Sequence, residues 1–233
     1  MRFMILGLLT LFLSEAKAEG WAGDVSVAQI QIDLTGKLTN TNLYNMNGVI
    51  NVSETLQGLT ASLSKEINEG VFLSGRWSGF ANSGNEINRN DISMFLTKPM
   101  KEYSVSVGYY FNDTEIGGNF VTNTSGSASS RIQIESTGIF SSIQKTFAHS
   151  DKFLSSVTAG ILFGDYDMYF GTDEAGANSS DTNGMSADYS LIQTRKSGGF
   201  FRYSLGFRQL EYDGPSESRA DEDNFILSVG ASF

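Results

Sequence analysis

The stretch YSVSVGYYF, residues 103–111, alternates large apolar side chains with small ones at every second position. Successive side chains of a β-strand point to opposite faces, so this period of two predicts a strand with one apolar face and one small, mostly polar face. The same alternation returns at 153–164 and at 201–209, where Arg202 and Arg208 alternate with aromatic residues. These three segments indicate an all-β protein.

Weaker copies of the pattern occupy much of the remaining chain. In the first of them Ala28, Ile30, Ile32 and Leu34 share one face, which we assign to the outer apolar surface. Together the segments predict ten strands, at about 24–38, 54–66, 71–81, 91–98, 103–111, 131–147, 153–164, 185–195, 200–212 and 224–233.

The segment 131–147 is the least regular of the ten. Ile132 and Ile134 follow one phase of the alternation, whereas Ile139 and Ile143 follow the other. A β-bulge inserts one residue and shifts the phase of a strand, so we expect a bulge near Gly138.

The predicted connections alternate in length, which determines the topology. Short turns lie at 68–70, 99–102, 149–152 and 196–199. Long polar connections lie at 39–53, 82–90, 112–130, 166–184 and 213–223. Short turns at one end and long loops at the other are typical of an up-and-down antiparallel sheet.

The small, polar face indicates what surrounds the apolar one. Gly, Ser and Thr suit the narrow interior of a cylinder, and in hydrocarbon a sheet must close so that every backbone group is paired. We therefore predict a closed up-and-down antiparallel transmembrane β-barrel of about ten strands, with eight or twelve as alternatives. A secreted soluble sandwich or barrel is the competing fold.

Residues 1–18 predict a cleaved signal peptide. Arg2 precedes an apolar run at 3–13, and Ala16 and Ala18 occupy the small-residue positions of an A-x-A cleavage site. A membrane anchor is less favoured, because eleven helical residues rise only about 16 Å. We expect residues 19–233 to form one barrel domain outside the cytoplasm.

Composition narrows the chemistry. The chain has 26 acidic and 16 basic side chains, no Cys and one His. The acidic balance argues against nucleic-acid binding, and the lack of Cys excludes disulfides, thiolate metal clusters and a cysteine nucleophile. We predict neither a cofactor nor a bound metal ion.

The last segment carries the most specific signal. Phe225, Leu227, Val229, Ala231 and Phe233 alternate without interruption up to a terminal aromatic residue. In this respect the chain resembles bacterial outer-membrane β-barrel proteins, whose last strand ends in this way. The resemblance implies a Gram-negative outer membrane, contact with its lipids and lipopolysaccharide, and assembly by periplasmic chaperones and the barrel-assembly machinery, which reads that strand.

The resemblance also orients the barrel, with short turns in the periplasm and long loops outside. These loops are acidic, and either bind cations between lipopolysaccharide phosphates or simply remain solvated. Their carboxylates are Asp165, Asp167, Asp173, Glu174, Asp213, Glu217, Asp221, Glu222 and Asp223.

The assigned phase also places charges inside the barrel, and buried charges require partners. We expect them either to brace and plug the lumen or to form a charged constriction that selects solutes. They are Asp33, Glu66, Arg76, Asp188, Arg202 and Arg208.

We predict a non-enzymatic barrel. Residues His149, Ser150 and Asp151 are adjacent in a turn, where their side chains diverge, and the pair Asp165 and Asp167 is not distinguished from other loop carboxylates. The expected role is a structural or surface barrel with limited porin-like permeability. A diffusion channel for small solutes, and an adhesin or ligand-binding barrel acting through its loops, are the alternatives.

Overall fold

The protein is a closed barrel of ten long antiparallel strands and one short strand. The computed structural model describes residues 20–39, 47–84, 86–117, 121–123, 131–170, 180–195, 199–213 and 219–232. The strands are β1 (Trp21–Thr39), β2 (Asn47–Asn68), β3 (Val71–Ala81), β4 (Ile87–Pro99), β5 (Ser104–Gly117), β6 (Val121–Asn123), β7 (Arg131–Ser150), β8 (Phe153–Phe170), β9 (Ser180–Thr194), β10 (Phe200–Asp213) and β11 (Arg219–Ser232).

Closure leaves the ten long strands without a free edge along their shared length. Each pairs with its neighbour in sequence, and β1 pairs with both β2 and β11. The predicted all-β fold, its antiparallel topology and the count of ten long strands are confirmed. Among the described residues there is no helix of the length and apolarity needed to cross a membrane.

The two ends of the barrel differ, as the connection lengths predicted. At one end, which we call the turn end, β2–β3, β4–β5, β7–β8 and β9–β10 join through short connections, and Gly70 at the first adopts a φ of 68°. The opposite end is called the loop end. There β6, which lies within the β5–β7 connection, pairs with Gly48, Val49 and Ile50 of β2.

The strands extend further towards the loop end than predicted. For example, β2 begins at Asn47 instead of about 54, β8 continues to Phe170 instead of about 164, and β11 begins at Arg219 instead of about 224. Much of the sequence assigned to long loops is therefore strand. It was missed because its alternation continues with the opposite polarity.

This inversion of polarity divides the barrel into two halves. In the turn-end half the outward side chains form an apolar band, to which every long strand contributes. Exposed examples, one from each strand, are Val27, Leu59, Trp77, Met94, Val107, Ile139, Ile161, Met185, Leu205 and Leu227.

In the loop-end half the outward side chains are mostly polar, and the inward ones are mostly apolar with a smaller set of buried polar and charged residues among them. On β8, Phe163 is the last apolar residue of the band, and Asp165 and Asp167 face outward beyond it while Tyr166 and Met168 are buried inside. On β11 the same change separates Phe225 from Asp223.

Two predictions, one about side-chain direction and one about a bulge, are therefore wrong. Ile30, Ile32 and Leu34 are fully buried inside the barrel, not outside. There is also no bulge at Gly138, since β7 keeps an unbroken register with β8 from Ile132 to Ala148. Instead, a Cβ at Gly138 would collide with the backbone of β8, so glycine allows the two strands to approach closely where the polarity inverts.

Candidate functional site

The lumen at the loop end is filled by an inner apolar core. Its members are inward-facing side chains with almost no solvent exposure, so this half of the barrel is packed like the interior of a soluble protein. They are Ile30, Ile32, Leu34, Ile50, Val52, Leu56, Ile87, Ile116, Ile132, Ile134, Met168, Leu210, Tyr212 and Ala220.

A charged cluster, which we call the central network, lies on the turn-end side of this core. Arg89 is fully buried and forms ion pairs with Asp91, at 3.1 Å between Nε and Oδ2, and with Glu222. Tyr212 donates a hydrogen bond to Glu222 Oε2 at 2.9 Å, and Asn224 donates one to Oε1 at 2.6 Å. Each buried charge is thus paired and also hydrogen-bonded, as burial of ions requires.

The central network joins strands on opposite sides of the barrel. Arg208 Nη2 on β10 lies 3.2 Å from Asp91 Oδ1 on β4, and these two strands are fifth neighbours in either direction around the cylinder. Asn112 donates a further hydrogen bond to Asp91 at 2.6 Å. The Arg208–Asp91 and Arg89–Glu222 pairs therefore run across the lumen, whereas Arg89 and Asp91 are neighbours on β4.

Glu222 lies beyond the apolar band, in the loop-end half. Burial alone would raise the pKa of this carboxyl, but attraction by Arg89 and Arg208 and the hydrogen bonds from Arg89 and Asn224 outweigh it, so the pKa of Glu222 is lowered. It remains an anion at neutral pH, which the ion pair with Arg89 requires.

A polar cavity of about 800 Å³ lies on the turn-end side of the network. Its walls are rich in Ser and Thr hydroxyls, and Asp91 and Arg208 belong to its lining. Nearer the turn end, Arg202 Nη2 pairs with Asp24 Oδ2 at 2.8 Å. Arg76 and Asp188 also line the cavity, from strands on opposite sides of the barrel.

Four of the six predicted lumen charges are therefore inside the barrel: Arg76, Asp188, Arg202 and Arg208. The prediction for Asp33 is wrong. It points outward, where its carboxylate accepts a hydrogen bond from Ser53 at 2.5 Å, because the first strand has the opposite phase from the one assigned. Glu66 is exposed at the turn end and accepts a hydrogen bond from the backbone of Gly70.

Sequence reasoning missed the three charges at the centre of the network, Arg89, Asp91 and Glu222, and also the buried Asp24. The signal that could have found the first three is the outward direction of Ile92 and Phe225, because residues at odd distances before them on the same strand face inward. Asp91 and Arg89 lie one and three positions before Ile92, and Glu222 lies three positions before Phe225. Arg89 fell in a predicted loop, and Glu222 was assigned to a solvated acidic loop. The second assignment is wrong, since Glu222 is fully buried.

The other predicted loop carboxylates that the structure describes lie on the outer face at the loop end. Asp165, Asp181 and Asp213 form one row of directly opposed residues across β8, β9 and β10. Asp167, Asp221 and Asp223 also face outward, whereas Asp173, Glu174 and Glu217 lie outside the described residues. No group of three or more potential metal ligands in the described parts of the chain is arranged to hold an ion.

The alternating residues of the last strand lie on the apolar band. Phe225, Leu227 and Val229 are about half exposed, and Ala231 is partly exposed on the same face. Phe233 lies outside the described residues. The predicted role of this face as an assembly signal remains a prediction.

His149 lies at the turn end, at the close of β7. Its Nε2 is 2.7 Å from Oγ of Ser155, which is almost completely buried, and its side chain is exposed. A nucleophile must reach its substrate, and an acidic residue must orient the base. Within the described residues no carboxylate contacts His149, so the pair lacks the acidic residue that orients the base in a catalytic triad.

Comparison with known proteins identifies the fold. The outer-membrane protease OmpT of Escherichia coli aligns with 91% of this chain and 96% of its own, with 7% identity and a TM-score of 0.56. OprG of Pseudomonas aeruginosa aligns with 91% of this chain and 95% of its own, with 8% identity and a TM-score of 0.42. For Ail of Yersinia pestis the coverages are 91% and 98%, with 9% identity and a TM-score of 0.32.

The alignment with OmpT shows that the chain has the fold of bacterial outer-membrane β-barrels, as the resemblance implied. At these identities the likeness concerns the fold alone. No protein-family model matches the chain, and no curated protein matches it.

Proposed function

We propose that the protein is an integral outer-membrane barrel with a closed lumen, which acts as a non-enzymatic surface protein. The inner apolar core is the observation that carries this proposal, since its fully buried side chains occupy the lumen where a diffusion channel would have to pass. Two ion pairs of the central network, Arg208–Asp91 and Arg89–Glu222, cross the lumen directly beside it.

The apolar band supports insertion in a bilayer. On β8 it runs from Phe153 to Phe163. A strand that rises about 3.4 Å per residue and tilts by about 40° covers about 26 Å over this distance, which is close to the height of the lipid-facing band of bacterial barrels. A soluble protein would expose this whole surface to water.

The loop-end half would then stand above the membrane as a water-exposed barrel with its own packed interior. Its outer face carries carboxylates, which are unfavourable in hydrocarbon. This arrangement holds the long connections away from the lipid surface and favours surface display as the role of the barrel.

Planar-bilayer recordings test the closed lumen. The refolded protein should insert without producing steady conductance steps. Reproducible ion-selective steps would instead establish the rival function, a diffusion channel for small solutes.

Single-cysteine labelling tests the orientation, because the chain has no Cys of its own. A membrane-impermeant maleimide should label Asp165→Cys and Asp223→Cys in intact cells. It should label Lys101→Cys, at the turn end, only after the outer membrane is permeabilised, and Val157→Cys in the apolar band in neither case. The reverse pattern would refute the proposed orientation.

Extension of the barrel beyond the apolar band favours an adhesin or ligand-binding barrel as the second candidate. Removing residues 124–130 and 171–179 should then abolish binding of whole cells to their target while leaving the barrel folded. Undiminished binding after both deletions would reject this candidate.

The protease function of OmpT is the alternative that the comparison raises. We propose no such activity, because His149 lies at the turn end and is bonded to a buried Ser155. Refolded protein should leave a mixed peptide library intact. Cleavage that is lost in Asp165→Asn or His149→Ala would overturn this part of the proposal.

A further inference from the structure

The lysine side chains are concentrated at the turn end. Of the six lysines among the described residues, Lys37 lies on β1 near the loop end and the other five lie at the turn end. Those five are Lys65, Lys98, Lys101, Lys145 and Lys152. Because the outer face of the loop end is acidic, the barrel has a charge gradient along its axis.

One part of the turn end forms a cleft, which we call the rim cleft. It lies between the β7–β8 turn, the end of β9 and the start of β10, and has a volume of about 500 Å³. Its lining residues are Asp151, Lys152, Gln193, Thr194, Arg195 and Phe201. Backbone hydrogen bonds from Thr194 to Lys152 and from Arg195 to Gly199 hold these segments together.

Two cations of the rim cleft, Lys152 and Arg195, form no ion pair with a described residue. The guanidinium of Arg195 lies over the ring of Phe201, at 5.0 Å from its centre, and Nη2 donates a hydrogen bond to the backbone oxygen of Ser232 at 2.6 Å. Within the described residues no carboxylate lies within ion-pair distance of Arg195 or Lys152. Asp151 shares the cleft, so its three charged side chains leave a net charge of +1.

The Arg195 guanidinium is fixed in position, but its hydrogen-bonding capacity is only partly used. Its Nε is buried and has no acceptor among the described residues. The neutral carbonyl of Ser232 is the acceptor that fixes the guanidinium, and a neutral acceptor does not compensate its charge. A charge positioned in this way, without a counter-ion, is suited to binding an anion.

The rim cleft opens onto the edge of the apolar band. Gln193 is paired with Phe153 on one side and with Phe201 on the other, and both aromatic rings are exposed on the outer surface. Leu191 and Tyr203 continue the apolar surface away from the rim. A ligand that uses the whole surface therefore needs an anionic head and apolar chains.

We propose that the rim cleft binds an anionic phospholipid from the leaflet at the turn end, with the phosphodiester between Lys152 and Arg195 and an acyl chain along Phe153 and Phe201. This inference rests on the proposed membrane insertion. A phospholipid is favoured over free phosphate because only the lipid also covers the two exposed rings. It is favoured over zwitterionic lipid because the three charged side chains of the cleft sum to +1, and among its described lining residues only Asp151 could attract a choline group.

Native mass spectrometry of the refolded protein in detergent tests the proposal. The probes are phosphatidylglycerol, phosphatidylcholine and inorganic phosphate, each added at the same concentration. We expect the protein to retain one phosphatidylglycerol in preference to phosphatidylcholine, and no phosphate. Equal retention of the two lipids, or retention of phosphate alone, would overturn the proposal.

Variants then locate the site. Lys152→Gln and Arg195→Gln should each weaken phosphatidylglycerol binding about five-fold, the effect of one basic side chain near an anionic headgroup. Lys101→Gln removes the same charge from a different turn and should leave binding unchanged. The Lys152→Gln variant controls for misfolding, since the Lys152 ammonium group forms no ion pair or hydrogen bond with the described part of the chain. An equal loss in all three variants would refute a defined site.

Failure of this inference can be separated from failure of the proposed function. Wild-type protein and each variant are first inserted into phosphatidylcholine vesicles, and their folding is verified by heat-modifiable gel migration. Protein that inserts but shows no preference for phosphatidylglycerol refutes the lipid site alone. Protein that does not insert refutes the membrane barrel itself.

Discussion

Replacing Arg89 by Met should destabilise the barrel by about 4 kcal/mol, within the range for removing one partner of a buried ion pair. Arg89 has no solvent exposure and contacts both Asp91 and Glu222. Asp91 keeps Arg208 as a counter-ion, but Glu222 loses the only cation within ion-pair distance among the described residues. Methionine fills much of the volume of the arginine side chain, so the loss of stability measures the cost of leaving the Glu222 carboxylate unpaired and not the cost of a large cavity.

The pH dependence of this effect follows from the same geometry. Without Arg89, burial raises the pKa of Glu222, so the folded variant takes up a proton at low pH and the destabilisation should be larger at pH 8 than at pH 5. Equilibrium unfolding in urea, monitored by tryptophan fluorescence in detergent micelles, measures the change. The double variant Arg89→Met/Glu222→Gln should recover about 1–2 kcal/mol, because it leaves a neutral amide in place of an unpaired charge.

A loss of less than about 1 kcal/mol in Arg89→Met would refute this reasoning, since it lies well below the cost of stranding a buried charge. A double variant less stable than the single variant would also refute it. Bilayer recordings provide a second readout. Both variants should remain electrically silent, because the inner apolar core fills the lumen beside the network independently of Arg89.

Three further outcomes are expected. Because the pKa of Glu222 is lower in the folded state than in the unfolded state, its ionised carboxylate stabilises the barrel at neutral pH, and this contribution is lost as the pH falls from the unfolded-state pKa towards the folded-state pKa. Glu222→Gln should therefore reduce the loss of stability with falling pH, and an unchanged pH dependence in acid would contradict this. Asp181→Asn removes repulsion from two directly opposed aspartates and should stabilise the barrel by about 0.2–1 kcal/mol at low salt, with no gain at 1 M salt. Ile132→Ala should cost about 2–5 kcal/mol, as in a protein core, whereas Ile139→Ala, which faces outward, should cost clearly less; equal costs would argue against the polarity inversion.

The apolar band was predictable because its strands obey one rule over nine or more residues. The third strand was predicted at 71–81 and is Val71–Ala81. Within this band the outward side chains are large and apolar and the inward ones small or polar, so the period-two pattern identifies both the strand and its orientation. Antiparallel order then follows from the alternating connection lengths, and closure follows from the need to pair every backbone group in hydrocarbon.

The loop-end half was not predictable by the same rule, because its outer face is in contact with water and its inner face with packed side chains. Asp165 and Asp167 were therefore assigned to an acidic loop, although Tyr166 and Met168 continue the alternation with reversed polarity. On β7 the same reversal was interpreted as a bulge at Gly138. A scan that permits one change of polarity within a strand would have recovered both segments.

The central network depends on information that no local pattern contains. Arg89 and Glu222 are 133 positions apart in sequence, and their contact depends on the register of every intervening strand around the barrel. Their inward direction could be inferred from neighbouring residues, but the identity of the partner could not.

The acidic outer face at the loop end has a consequence for biogenesis if the barrel inserts from the periplasm in the proposed orientation. That end leads the way through the hydrocarbon, so Asp165, Asp181 and Asp213 must traverse a medium in which ionised carboxylates are strongly disfavoured. Spontaneous insertion into an intact, thick bilayer should accordingly be slow and should accelerate in thin or defect-rich bilayers. The largest kinetic barrier to insertion is thus expected to be the transfer of the protein's own acidic outer face across the hydrocarbon.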